Sequence, residues 1–382
     1  MEEFQSILTI MVVVWVMGKI FRSLKLPVLF GELVGGIIVG PLVLGLCDPD
    51  SHAIKLLAEF GVFFLMLHSG LETDPRELMK SSKKSILVAV MGVVLPFISG
   101  YYVSIAFGRS FEESLFIAMG LSITAIAISA RLFKDNNLTK TQTAHITLGA
   151  ALLDDIFALM MFSVVISIVE TGSVEFIPIL LMIVKVLLFF AVVIIGGFKL
   201  QKYVGGFLKN KGFTVTLIVA LALGLIAEYI GLHMIIGAFL AGLFIREEVI
   251  DEKVFRKIED RIYGLSYSFL GPIFFASLAF YLDFTAFFAA PWFLAAILVV
   301  SILGKVIGSG GAAYIQKINF KSSLVIGLAM NNRGAVELIL ASIGLQLGII
   351  QTDVFSILVL MAFVTTLFSI FTIKPLAKNL TN

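Results

Sequence analysis

Apolar stretches of membrane-spanning length recur along this chain until little else is left between them. Runs of about 17–25 residues mark transmembrane helices. Thirteen can be counted, at approximately 4–21, 27–46, 54–71, 85–107, 114–131, 143–169, 176–198, 213–231, 233–246, 264–282, 286–315, 322–348 and 354–375. Only 14% of the 382 residues are charged, against about 25% in soluble domains. The reading is an all-α polytopic membrane protein embedded in a lipid bilayer, not a globular enzyme. A net charge of +2 without a basic tract gives no reason to expect a nucleic-acid partner. The single cysteine, Cys47, leaves no intrachain disulfide and no cysteine-based metal site. Glu2 and Glu3 precede the first run, where a signal peptide would carry positive charge, so the first span is expected to stay.

Loop charges test the count, because cytoplasmic loops hold the lysines and arginines. If the loops alternate sides, 23 of the 28 basic residues fall on one side, from Lys19, Arg22 and Lys25 through Arg76, Arg131, Lys199 and Arg246 to Lys317 and Lys378. The other side has only Lys55 and Arg109, among acids such as Glu112, Glu170, Asp283 and Asp353. The N terminus is therefore expected outside and the C terminus in the cytoplasm. The three basic residues left over, Lys185, Lys305 and Arg333, fall within spans. Lys185 reads as facing a crevice, a dimer contact or lipid headgroups. Glu32 and Glu228 read as touching water, and the segment Arg246–Arg261 as an amphipathic cytoplasmic helix.

The chain also repeats itself. GELVGGIIVG (Gly31–Gly40) and GAFLAGLFI (Gly237–Ile245) align Gly31 and Gly36 with Gly237 and Gly242. A related run follows each, FFLMLHSGLE (Phe63–Glu72) and FFASLAFYLD (Phe274–Asp283). If spans 1–6 recur as 8–13, the odd seventh span inverts the second copy, and inverted repeats mark secondary transporters with a site at mid-membrane. The repeat pairs span five with span twelve, and both read as interrupted. Span five is rich in small and hydroxylated residues, LSITAIAISA (Leu121–Ala130), whereas span twelve has Asn331, Asn332, Arg333 and Gly334 at its centre. Such irregular backbone survives at membrane depth only where it is buried in protein or lines water. It frees carbonyls for a cation and supplies helix-end dipoles.

Asp154 and Asp155 are the sharpest signal. They are the only charges between Ile146 and Val169. A carboxylate at that depth costs about 2.5–3.5 kcal/mol on insertion scales and is a functional-site hypothesis by default. Counted from the expected cytoplasmic side at about 1.5 Å per residue, Asp155 lies ~21 Å in, and Lys305 and Arg333 ~18 Å in. Thr124 falls near the same plane. Sodium is a hard cation that takes oxygen ligands, and Asp154, Asp155, the Thr124 hydroxyl and freed carbonyls could supply them. A proton competes for the same oxygens, and that competition is itself an exchange mechanism. Lys305 would pair with an aspartate; when sodium neutralises the aspartates, the lysine loses its partner and could release a second proton. A structural counter-ion is the alternative for Lys305. Arg333 and Glu337, at i,i+4, can neutralise each other, and Asn331 and Asn332 can cap the half-helices. A channel, a sensor or a sodium-coupled solute symporter would share part of this pattern.

At these residues the chain resembles the second branch of the monovalent cation:proton antiporters, the sodium/proton exchangers of the NapA and GerN kind. The resemblance covers essentially the whole chain and includes LPVLFGELVGGIIVG (Leu26–Gly40), FLMLHSGLETD (Phe64–Asp74), TAIAISARLF (Thr124–Phe133), GAALLDDIFAL (Gly149–Leu159), ILGKVIG (Ile302–Gly308) and NNRGAVELI (Asn331–Ile339). It implies an NhaA-like antiporter fold: thirteen transmembrane helices in two inverted six-helix repeats with crossed broken helices. It implies a core domain (spans 3–6 and 10–13), a dimerisation domain (spans 1–2 and 8–9, span 7 linking) and a homodimer in a prokaryotic plasma membrane. By motif, Asp155 is the principal ion- and proton-binding carboxylate, Asp154 the second one paired with Lys305, and Thr124 and Ser129 lie on the unwound part of span five. Ala335 stands where NapA-like members carry an acid, and Glu337 two further on, as in GerN-like and potassium-handling relatives. Potassium/proton exchange is therefore the alternative. Potassium-efflux relatives commonly have Gln-Asp in place of Asp154-Asp155, which favours sodium. No G-x-G-x-x-G is seen and the sequence runs only to Asn382, so an exchanger unit without a soluble regulatory domain or cofactor is expected.

Overall fold

The computed structural model describes residues 2–73, 83–136, 138–171, 176–245 and 252–377. Arg76, Lys80, Glu175, Arg246 and Lys378, on which the charge alternation partly rests, lie outside this set, as do the side chains of Lys199, Lys202, Lys209 and Lys211. The helices are α1 (Glu2–Ser23), α2 (Val28–Val39), α3 (His52–Glu72), α4 (Lys83–Ala106), α5 (Phe111–Ser122), α6 (Ile126–Asp135), α7 (Gln142–Thr171), α8 (Phe176–Tyr229) and α9 (Met234–Ile245). They continue as α10 (Glu252–Leu265), α11 (Gly271–Leu278), α12 (Thr285–Ala289), α13 (Pro291–Lys305), α14 (Gly311–Ile315), α15 (Phe320–Ala329), α16 (Ala335–Gln346) and α17 (Thr352–Ala377). Single π-helical turns join α10 to α11 and α13 to α14. Among the described residues, nine helical stretches are long and apolar enough to cross a membrane. The shorter apolar helices include α2, α9 and the two halves of span twelve.

The chain divides into two compact units, Met1–Pro75 with Val174–Tyr281, and Arg76–Ser173 with Leu282–Asn382. Spans three and ten belong to the first unit. Glycine packing is the physical reason. A methyl group added at Gly70 of α3 would lie 1.9 Å from the Phe239 carbonyl of α9, and one at Gly61 would lie 2.7 Å from the Leu270 carbonyl ahead of α11. Small residues let helix backbones approach closely in lipid, and here they lock α3 to α9 and α11. The glycines aligned by the repeat do matching work. In α2, Gly31 abuts Met17 of α1 and Gly36 abuts Ala276 of α11; in α9, Gly237 abuts Leu223 of α8 and Gly242 abuts Leu67 of α3. Gly70→Ala should therefore force backbone apart and cost about 1–3 kcal/mol, the usual range for overpacking. Thermal unfolding in detergent measures it, and an unchanged midpoint would contradict this packing.

One expectation in this unit, that Glu32 touches water, meets a different outcome. Spans seven and eight run together in α8, 54 residues long. Yet Lys185 Nζ donates to Ile230 O at 3.4 Å across 45 residues, where a straight helix would hold them roughly 67 Å apart. The helix turns back on itself, and Lys185 serves the chain end that follows it. Glu32, expected at water, is buried because the glycine-rich α2 is packed from several sides. The amphipathic segment is helical from Glu252 and buries Phe255, Ile258 and Ile262 on one face; its first residues, 246–251, lie outside the described set.

The second unit packs α4, α7, α14 and α15 through Val88, Ile146, Ala150, Ala313 and Ile326. It joins α6, α15 and α17 through Phe133, Leu328 and Ile373. Gly308 lies against the Met91 carbonyl of α4, and Gly344 of α16 against the Phe116 ring of α5. All of the sequence-predicted site residues fall in this unit.

Candidate ion site where two broken helices cross

Span five breaks after Ser122. Ile123, Thr124 and Ala125 are non-helical, with Ile123 and Ala125 in extended conformations, before the chain re-enters helix at Ile126. Span twelve breaks over Met330–Gly334. Neither break contains proline. Each is held open by the other. Ala125 N donates to Asn332 O at 2.8 Å, Thr124 Oγ1 to Met330 O at 2.7 Å and Ser129 Oγ to Ala329 O at 2.7 Å. Asn332 Nδ2 donates to Ser129 Oγ at 2.9 Å and to Ala329 O at 3.0 Å. Backbone groups released by the breaks thus find partners within the protein, as membrane depth demands. A methyl group at Gly334 would lie 2.7 Å from Ala125 Cβ, so the close crossing needs glycine there.

Four fully buried charges surround the crossing. Lys305 Nζ donates to Asp154 Oδ2 at 3.0 Å, with both side chains 0% exposed, and also to Ser122 O at the end of α5. Arg333 turns its guanidinium onto the same helix end. Nη1 donates to Gly120 O at 3.0 Å and to Ile123 O, and Nη2 to Leu121 O at 2.6 Å and to Ser301 Oγ at 2.9 Å. The last carbonyls of a helix are orphaned and carry its negative dipole end, so two cations at this one terminus satisfy both needs. Arg333 N donates to Thr366 Oγ1 at 2.8 Å, which fixes the break against α17. Arg333 Nε lies 3.7 Å from Glu337 Oε2, an ion pair beyond hydrogen-bond length.

The expected pairing of Asp154 with Lys305 is present. Asp155, next along α7, is buried. Thr124 sits on the interrupted stretch as expected, whereas Ser129, expected there too, lies in the first turn of α6, because helix resumes at Ile126. Thr124 donates its proton to Met330 O of the other break and Ser129 to Ala329 O at the end of α15. Asn332 ties the breaks together, whereas both polar atoms of the Asn331 side chain are buried without a partner. Sequence reasoning did not single out Ser122, Ser301, Thr366 or the carbonyls of α5. Ser301 was within reach, because it stands at i,i−4 from Lys305 on one helix face. Among the described residues no group of three His, Cys, Asp or Glu could hold a metal ion. A cation here would have two carboxylates, and hydroxyls and main-chain carbonyls would complete its shell.

The profile of the family described as "Sodium/hydrogen exchanger, transmembrane" matches residues 7–379. The chain belongs to that family. It is 31% identical to the Na(+)/H(+)-K(+) antiporter GerN of Bacillus cereus, over 96% of this chain and 94% of that protein. It is 33% identical to the probable Na(+)/H(+) antiporter GerT of the same organism, over 90% and 91%. A Na(+)/H(+) antiporter of Enterococcus hirae is 29% identical over 99% of both chains. In fold, the chain is similar to the sodium proton antiporter MjNhaP1 of Methanocaldococcus jannaschii, with a TM-score of 0.79 over 100% of this chain and 99% of that one, at 18% identity. As a family member it is a membrane-embedded transporter of the cation/proton antiport class.

Proposed function

We propose that this exchanger carries sodium or lithium one way and protons the other by alternating access, with Asp155 and Asp154 as the oxygens for which cation and proton compete. The observation that carries this reading is the buried Lys305–Asp154 pair beside Asp155, next to two interrupted helices that cross. Sodium bound by both carboxylates would share Asp154 with Lys305, weaken the 3.0 Å pair and set the ammonium free to give up a proton. Two charges then move against one, and exchange is electrogenic. Thr124 and Ser129 hold the crossing in register and lend hydroxyl oxygen. Asn331, Asn332, Arg333 and Glu337 support the broken helices.

The wider frame is part of the same proposal: thirteen crossings in two inverted repeats, a homodimer, an outside N terminus and a prokaryotic plasma membrane. The matching glycine contacts of α2 and α9 support the repeat. Potassium/proton exchange is the second reading, favoured by the similarity to GerN, a Na(+)/H(+)-K(+) antiporter, and by Glu337 in its AVEL context.

The test uses purified protein in liposomes with an acidic interior and an internal pH-sensitive dye. Sodium or lithium added outside should dequench the dye, and potassium or choline should not. An equal response to potassium would move the reading to potassium exchange, and no cation-driven proton flux would overturn antiport. Lys305→Gln is expected to keep sodium-driven exchange but lose the accompanying current. Unchanged current in that variant would remove Lys305 as a proton carrier.

A further inference from the structure

Seven of the nine buried side-chain polar atoms lacking a hydrogen-bond partner among the described residues belong to Asp154, Asn331, Asn332, Arg333 and Glu337. Folded proteins leave few such atoms, and each calls for an explanation. Glu337 is the extreme case: it is 1% exposed and neither carboxylate oxygen receives a hydrogen bond. Arg333, its ion-pair neighbour, has committed both terminal nitrogens to α5 and Ser301 and offers only Nε at 3.7 Å. Glu337 also lies within electrostatic reach of Lys305. Arg333 Nη2 binds Ser301 Oγ at 2.9 Å, and Ser301 stands one turn before Lys305 on the same face of α13, so the Arg333–Glu337 pair adjoins the helix that carries Lys305. Asp154, Lys305, Arg333 and Glu337 therefore form one buried quartet of two positive and two negative groups. It has a short pair at one end and an under-bonded carboxylate at the other.

Resting on the proposed exchange at Asp154 and Asp155, we propose that Glu337 is the second docking point of the Lys305 ammonium. A cation arriving at the aspartates displaces that ammonium from Asp154 Oδ2, and Glu337 receives it. An ammonium displaced from its carboxylate, with the Ser122 carbonyl alone for a partner, would be costly in a buried site, and Glu337 is the carboxylate of the quartet with neither oxygen hydrogen-bonded. The two cations suit their parts. Lys305 ends a flexible four-carbon stem with rotatable donors, whereas a guanidinium is a rigid fork, and Arg333 is clamped by four hydrogen bonds. Movement of the ammonium alone leaves the crossing intact, and Glu337 holds it until it releases its proton. Glu337 thus acts as a positioning residue for Lys305.

The experiment follows the thermal unfolding midpoint of the purified full chain against sodium, with choline holding ionic strength constant. Wild type should show a saturable sodium-specific rise that Asp155→Asn removes; its absence in wild type would overturn the proposed site, and this inference with it. Given that response, Glu337→Gln is expected to raise the half-saturating sodium concentration about tenfold. In a Lys305→Gln background the same change should move it less than about twofold, because contacting residues that act together are non-additive. An equal effect with and without Lys305 would show that Glu337 acts through Arg333 alone, and would overturn the handover while leaving the aspartate site standing. Glu337→Asp keeps a carboxylate and should fall between wild type and Glu337→Gln; it also reads the handover if the amide variant is not recovered folded.

Discussion

Replacing Asp155 with asparagine is expected to abolish sodium-driven proton flux while leaving the folded protein intact. The substitution is nearly isosteric at a buried position, but a carboxamide neither ionises nor exchanges a proton. Asp154 is poorly placed to substitute, since its Oδ2 is held by Lys305 at 3.0 Å. The loss of one carboxylate facing a cation about 4 Å away is worth ~4 kcal/mol at an effective dielectric of 20. At about 1.4 kcal/mol per factor of ten, that weakens cation binding by several hundredfold or more. Because protons use the same oxygens, lost binding and lost proton exchange should coincide. Liposome flux at saturating sodium measures both. Retention of more than about a tenth of wild-type flux would require the principal carboxylate to be elsewhere, and Asp154→Asn would then be the informative variant. Asp154→Asn differs in kind, because it strands a buried lysine and should also lower thermal stability.

What was legible in the sequence follows from cost. A charge at membrane depth is expensive and must find a partner, so Asp154, Asp155, Lys305 and Arg333 stand out as letters, and the counted depths of Asp155, Lys305 and Arg333 fall near one plane. The interrupted spans were legible because Leu121–Ala130 is rich in small and hydroxylated residues and Asn331–Gly334 puts polar residues and a glycine where unbroken lipid-facing helix would not. Other features depend on atoms that have no letter. Arg333 and Glu337 pointed to each other by their spacing, and they do form an ion pair, but the guanidinium spends its hydrogen bonds on main-chain carbonyls of α5. No spacing rule names a carbonyl as a partner. The assignment of spans three and ten to a unit likewise turns on which backbone a glycine meets: Gly70 was visible, its contact with Phe239 was not. The reversal within α8 was legible only as two spans with a basic segment between them.

Arg333→Ala is expected to be the most destabilising single change in the second unit. Removing one partner of a buried ion pair costs about 3–5 kcal/mol, here by taking from Glu337 the positive charge 3.7 Å away. A second loss adds to it, because the carbonyls of Leu121 and Ile123 and the Ser301 hydroxyl lose their donor at the end of α5, while Gly120 O keeps only the Ile123 N–H at 3.4 Å. Each buried acceptor left unsatisfied costs about 1–3 kcal/mol. Paired substitutions decide which loss dominates. Replacing both members, Arg333→Met with Glu337→Met, removes the uncompensated charge but not the orphaned carbonyls, and a buried pair exchanged whole for apolar side chains is often nearly neutral. Stability close to wild type in the double variant would make the ion pair the main contributor. We expect only partial recovery, because four acceptors are at stake on α5 and Ser301 against a single 3.7 Å contact to Glu337. Arg333→Lys should also fall between, since an ammonium has three donors against the five of a guanidinium and cannot span the fork. Unfolding midpoints of the four proteins measure the order, and a wild-type midpoint for Arg333→Ala would mean that the crossing does not depend on this clamp.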